Sequence, residues 1–127
     1  MKNIAIFASG NGSNAEQISR HFSQKSAVKV KLILTNNPTA GVIERAERLG
    51  IISVIFDRNT FYFSDEIINT LKENQIDLIV LAGFLWLVPN NILQEFKGRI
   101  VNIHPALLPK YGGKGMYGNY VHQAVIA

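Results

Sequence analysis

The sequence predicts an α/β fold, an open and mainly parallel sheet with helices on both faces. Three observations predict it. Short β-branched runs alternate with stretches whose apolar residues recur every three or four positions. The connections are helix-sized, which implies right-handed βαβ crossovers and parallel pairing. Runs such as Leu78-Ile79-Val80-Leu81 are apolar without alternation, as expected of strands covered on both sides.

The elements follow in order. Ile4 to Ala8 reads as the first buried strand. Asn14 to Ser23 reads as a helix, with Ala15, Ile18 and Phe22 on one stripe. Val28 to Leu34 is the second strand, its start marked by Lys29 and Lys31 in alternation. Gly41 to Leu49 is the second helix, and Gly50 suits its C-terminal stop. Ser53 to Phe56 is a short third strand. One helix is expected from about Phe61 to Glu73, with Ile67, Ile68 and Leu71 inward. Asp77 to Ala82 is the fourth strand, ended by Gly83. Pro89 sits in the first turn of a short helix that reaches about Phe96. Ile100 to Ile103 is the fifth strand. From His104 to about Gly118 a Gly- and Pro-dense loop is expected.

Composition narrows the function. The 127 residues are 47% apolar and 17% charged, which excludes a disordered chain. Thirteen Lys and Arg against nine Asp and Glu leave +4, a balance suited to an anionic small molecule rather than a nucleic-acid backbone. The absence of cysteine excludes disulfides, zinc–thiolate sites and a Cys nucleophile. No apolar run approaches the roughly 20 residues of a membrane span. The start of the chain leads straight into a strand and lacks a signal-peptide pattern, so a cytoplasmic location is expected. A single domain, 1–127, is expected to divide into a nucleotide-binding part, 1–100, and a catalytic strand with its following loop, 101–127. Val121 to Ala127 ends without a cap or final strand. The chain is therefore expected to stop inside a larger fold; the alternative is a terminal helix docked on the sheet.

Ser9-Gly10-Asn11-Gly12-Ser13-Asn14 joins the first strand to the first helix. Glycines there let the backbone approach an anion, and the N–H groups opening a helix favour phosphate. Ser13 and Asn14 add side-chain donors. A tight turn capped by Ser13 or Asn14 explains the same letters equally well. Gly10 to Ala15 also satisfies G-x-G-x-x-A, but a dinucleotide site needs an acidic residue after the second strand, where Thr35-Asn36-Asn37 stand. No Gly-Lys-Ser/Thr follows the glycines, so a Walker loop fails too. A monophosphate fits better than either.

Val101-Asn102-Ile103-His104-Pro105 places an amide and an imidazole two residues apart on one face of a strand. Pro105 holds His104 extended. An Asn amide can donate to an oxygen gaining negative charge, and a His can move a proton near neutral pH. The pair suits attack of an amine on an acyl carbon; a polar pair capping the strand end is the plainer alternative. Leu85, Trp86, Leu87 and Val88 could line a slot for a flat heteroaromatic ligand, or pack in the core. His21 and His122 receive no role. Three His without a Glu partner at helical spacing give no metal site.

Taken with Leu81-Ala82-Gly83-Phe84 and Leu107-Leu108-Pro109-Lys110-Tyr111, these segments resemble the folate-dependent formyltransferases. The glycine loop narrows the resemblance to the phosphoribosylglycinamide formyltransferases, also called glycinamide ribonucleotide transformylases. The resemblance implies a Rossmann-like formyltransferase sheet and transfer of a formyl group from 10-formyltetrahydrofolate to the amine of glycinamide ribonucleotide, in purine synthesis. It implies that Gly12, Ser13 and Asn14 hold the phosphate. Asn102 would bind the developing oxyanion and contact the folate, and His104 would act as proton donor. Leu85, Trp86, Leu87 and Val88 would line the folate pocket. It implies no metal, and small-molecule partners rather than nucleic acid or membrane; a homodimer stays open.

Three departures stand out. Family members continue past residue 127, where they carry an Asp that orients the catalytic His. A basic residue near the start of the third helix is not evident in Phe61-Tyr62-Phe63-Ser64. The stretch Gly112 to Gly118 is longer than the family's Gly-x-x-Thr-His turn, and reads as a lid or a surface loop. The alternatives are a formyltetrahydrofolate hydrolase and a truncated, non-catalytic module that binds a phosphate ligand. The hydrolase normally carries an added N-terminal domain, for which a first strand at residue 4 leaves no room. A transfer-RNA formyltransferase would lack this glycine loop.

Overall fold

Five parallel strands form one sheet in the order β3-β2-β1-β4-β5. The computed structural model describes residues 2–25 and 27–103. The strands are β1 (Lys2–Phe7), β2 (Val28–Thr35), β3 (Ile52–Ile55), β4 (Leu78–Ala82) and β5 (Ile100–Ile103). The helices are α1 (Ser13–Ser23), α2 (Gly41–Leu49), α3 (Arg58–Phe63), α4 (Glu66–Glu73) and α5 (Asn90–Glu95). The expected loop at His104 to Gly118 and the apolar segment Val121 to Ala127 lie outside the described residues.

Strand periodicity sorts the core into two layers. Ile4, Ile6 and Ala8 face one side and pack with Ala15 of α1 and with Val42 and Ala46 of α2. Ala5 and Phe7 face the other and pack with Phe61, Ile67, Leu71 and Ile92 from α3, α4 and α5, and with Phe96 just after α5. Helices on both faces bury both faces of β1, which is why its run is apolar without alternation. In the second layer Phe56 stacks on Phe61 with ring centroids 4.5 Å apart, and Phe84 meets Phe7 edge-on at 5.3 Å.

Strand order reverses between β1 and β4. α1 returns the chain toward β2 on one side of β1, while β4 pairs on its other side in the register Phe7↔Leu81. In open parallel sheets ligands bind in the crevice at such a reversal, beyond the carboxyl ends of the strands. The crevice walls are therefore the turn after β1 and the segment after β4.

One element differs from expectation. The helix expected from Phe61 to Glu73 is two helices. Asp57 caps α3 by accepting from the Thr60 N–H at 2.8 Å, so the helix starts at Arg58. Ser64 is extended, with φ −147° and ψ 170°, and its hydroxyl accepts from the Glu66 N–H at 3.2 Å. A second helix then starts after Asp65. Pro89 stands at the N-cap of α5 rather than inside its first turn. Gly50 ends α2 with φ 73°, the left-handed conformation glycine adopts without strain.

Phe61 is buried against Phe7, Phe56, Phe84 and Trp86. Phe61→Ala is expected to cost about 3–5 kcal/mol. Urea unfolding checks this, and a loss below about 1 kcal/mol would contradict the layer assignment.

Candidate active site

The turn after β1 is held against α2 at three points. The Val42 N–H donates to the Gly10 carbonyl at 3.1 Å, tying the turn to the start of α2. Arg45 Nε donates to the Asn11 carbonyl at 2.6 Å, and its guanidinium also pairs with Glu16 on α1. Gly12 is the N-cap of α1 with φ 80°. A Cβ on Gly12 would overlap the Val42 side chain and stand 2.8 Å from Val42 Cα. Packing of α1 against α2 thus requires glycine here before any ligand is considered.

The donors at the mouth of α1 divide. The Ser13 N–H is taken by Asn11 Oδ1 at 2.9 Å. The Asn14 and Ala15 N–H groups have no hydrogen-bond partner among the described residues. Ser13 is exposed and Asn14 half-buried. An anion at this turn would meet the Asn14 and Ala15 N–H groups and the Ser13 and Asn14 side chains, with the helix dipole behind them. The end of β2 offers Asn36 rather than a carboxylate.

The segment after β4 alternates. Phe84 is buried, and Trp86 and Val88 pack on the layer of α3 to α5. Leu85 and Leu87 point outward, 81% and 83% exposed. Core packing therefore describes Trp86 and Val88, whereas Leu85 and Leu87 turn away from the core. Tyr62 donates its hydroxyl to the Leu87 carbonyl, and the Arg58 guanidinium lies 4.7 Å from the Trp86 ring centroid. α3 begins at Arg58, three residues before Phe61.

Asn102 pairs in register with Leu81, near the carboxyl end of β5. Ile100 packs in the layer of α3 to α5 and Ile103 in the opposite one, so Asn102 belongs to the layer of Phe84 and Trp86. β5 neighbours β4, not β1. Two strand spacings, roughly 10 Å, separate its line from that of the glycine turn. His104 lies outside the described residues. A surface groove of about 360 Å³, lined in part by Arg20, Phe22, Lys25 and Lys29, opens near the amino end of β2, away from this crevice. Among the described residues no group of three His, Cys, Asp or Glu is placed to hold a metal, and no helix is long and apolar enough to cross a membrane.

A model of the formyl transferase family matches residues 2–127. The chain belongs to that family. It is 41% identical to the chloroplastic phosphoribosylglycinamide formyltransferase of Arabidopsis thaliana over 131 residues, covering 98% of this chain and 45% of that protein. It is 41% identical over 118 residues to the phosphoribosylglycinamide formyltransferase of Bacillus subtilis, covering 89% of this chain and 60% of the relative. The crystal structure of glycinamide ribonucleotide transformylase 1 from Geobacillus kaustophilus superposes with a TM-score of 0.75 at 38% identity, covering 98% of this chain and 69% of that one. The chain spans about half the length of the curated relatives it matches.

In this formyl transferase chain the predicted site residues fall into three places. Gly12 caps α1 at the end of the turn after β1, and Ser13 and Asn14 open that helix. Leu85, Trp86, Leu87 and Val88 follow β4 on the adjacent strand, and Asn102 stands one strand further on. Sequence reasoning missed Ser9, Asn36, Arg45 and Arg58. Only Arg58 left a readable signal, since an Asp followed three residues later by the Thr whose N–H it accepts marks a helix start.

Hydrogen bonding to Arg45, then to Arg20, holds the Glu16 carboxyl below its ordinary pKa. A depressed carboxylate contributes stability above its unfolded pKa and loses it as pH falls through the folded value. Glu16→Gln is therefore expected to flatten the acid limb of the stability–pH curve; curves that stay parallel from pH 7 to pH 3 would contradict the pairing. Gly12→Ala is expected to lose about 1–3 kcal/mol through overpacking. A cycle with Val42→Ala should show coupling above about 0.5 kcal/mol in thermal unfolding; simple additivity would move the cause from the Val42 γ-methyls to its Cα and Cβ and to the left-handed φ of Gly12.

Proposed function

We propose that this chain carries the nucleotide-binding and oxyanion-binding parts of a phosphoribosylglycinamide formyltransferase. In this reading it moves a formyl group from 10-formyltetrahydrofolate to the amine of glycinamide ribonucleotide. One observation carries the proposal. The glycine turn and the segment after β4 flank the reversal of strand order, with Asn102 on the next strand. The spacing suits a substrate whose phosphate and amine are separated by a sugar and a short amide arm. The similarity to phosphoribosylglycinamide formyltransferases supports the choice of substrate.

The proposed chemistry is direct. The substrate amine attacks the formyl carbon, a C–N bond forms, and the carbonyl π pair moves to oxygen. The Asn102 amide donates to that oxygen, whose negative charge exists only in the intermediate and the transition states flanking it. Collapse breaks the bond between the formyl carbon and the folate nitrogen. That nitrogen takes up a proton and the attacking nitrogen gives one up, with His104 as the relay. The Ser13 and Asn14 side chains and the opening N–H groups of α1 hold the phosphate. Leu85 and Leu87 present apolar surface to the folate, while Trp86 and Val88 support the segment from behind. The partners are these small molecules, no step uses a metal, and the same reading gives a cytoplasmic location.

In the full protein Asn102→Ala and His104→Ala are expected to lower kcat by about 10²–10³. The dissociation constant of glycinamide ribonucleotide, read by titration calorimetry, should stay within about threefold. Unchanged turnover in both variants would remove the catalytic assignment. Release of formate at equal rates with and without the amine would favour hydrolysis instead. Ser13→Ala combined with Asn14→Ala is expected to weaken nucleotide binding about a hundredfold or more, at about 1.5–3 kcal/mol per lost charge-assisted bond; an unaltered constant would place the phosphate elsewhere.

A further inference from the structure

The hydroxyl of Ser9 joins the two walls of the crevice. Ser9 follows the end of β1 and is buried. Its Oγ donates to Asn36 Oδ1 at 2.6 Å and accepts from the Leu85 N–H at 2.9 Å. Its backbone N–H donates to the Gly83 carbonyl at 3.2 Å. One residue thus touches the end of β2, the start of the glycine turn and the segment after β4. The polarity of the chain is fixed. Asn36 Oδ1 accepts the hydroxyl proton, so a lone pair of Oγ is left facing the Leu85 N–H.

We propose that Ser9 is a positioning residue that sets the distance between the phosphate-holding turn and the donor-holding segment, with Asn36 orienting its hydroxyl. This rests on the reading of the reaction given above. Each wall binds its own molecule, but reaction needs the amine and the formyl carbon within about 3–3.5 Å and aligned. A slip of about 1 Å between walls can leave both molecules bound and still cost about 10²-fold in rate. Ser9 is the side chain whose hydrogen bond to Leu85 spans the reversal between β1 and β4, so its loss acts on alignment rather than on either binding surface.

The test uses the full protein as wild type, Ser9→Ala, Asn36→Ala and the double variant, with steady-state kinetics in both substrates. Ser9→Ala is expected to lower kcat about 10- to 100-fold with each KM within about threefold. Asn36→Ala should lower kcat less, and the double variant should be no slower than Ser9→Ala, because Asn36 acts through Ser9. A kcat within twofold of wild type in Ser9→Ala, a rise in KM alone, or additive losses would overturn the proposal. If Ser9→Ala does not fold, the half-buried Asn36→Ala decides, and an undiminished kcat there overturns it. If the wild type itself transfers no formyl group, the reaction reading fails, and the link is then read by amide exchange. Faster exchange at Leu85 in Asn36→Ala supports the link, and an unchanged rate overturns it.

Discussion

Burial of β1 on both faces is the constraint from which the rest follows. Ala5, Ile6 and Phe7 lie under helices on either side and between β2 and β4 in the sheet. A strand so enclosed satisfies its backbone through its two neighbours and has no freedom to shift register without turning a whole apolar set to the wrong layer. Its carboxyl end is therefore a fixed point. The glycine turn, the cap of α1 and the buried Ser9 are all placed by it. Electrostatics refine that placement: Arg45 grips the Asn11 carbonyl and Glu16 together, so the turn is braced from α2 as well as from its own helix.

The sheet itself was largely legible. Apolar runs marked all five strands to within two residues, most clearly β1 and β4, where cover on both faces leaves no polar residue in the middle of the strand. The break between α3 and α4 was not. Phe61, Ile67, Ile68 and Leu71 keep helical spacing across it, and the two local signals, Asp57 and Ser64, are short polar residues that also occur inside helices. The order of strands was likewise not legible, since periodicity states which face a residue takes but not which strand lies beside it.

The candidate site was marked in the sequence only in part. Types of residue and their place at strand ends pointed to Gly12, Ser13, Asn14 and Asn102. The division of Leu85 to Val88 into outward Leu85 and Leu87 and inward Trp86 and Val88 became visible only with the aromatic layer beneath them. Ser9, Asn36 and Arg45 were silent for a different reason. Each acts by a contact across 27 to 76 residues of sequence, and no local pattern announces such a bond. Gly12 shows the reverse case: a glycine expected for its ligand is already required by the Val42 side chain.

The pairing of β1 with β4 also sets an order of assembly. β2 follows β1 after a single helix, whereas the Asn3 to Asp77 and Ser9 to Leu85 hydrogen bonds bridge 74 and 76 residues. Closing so long a loop costs more chain entropy than forming the first βαβ unit. A chain leaving the ribosome holds its complete glycine turn well before the opposite wall exists. The crevice is thus completed only when β4 and the segment after it arrive to enclose a strand made before them.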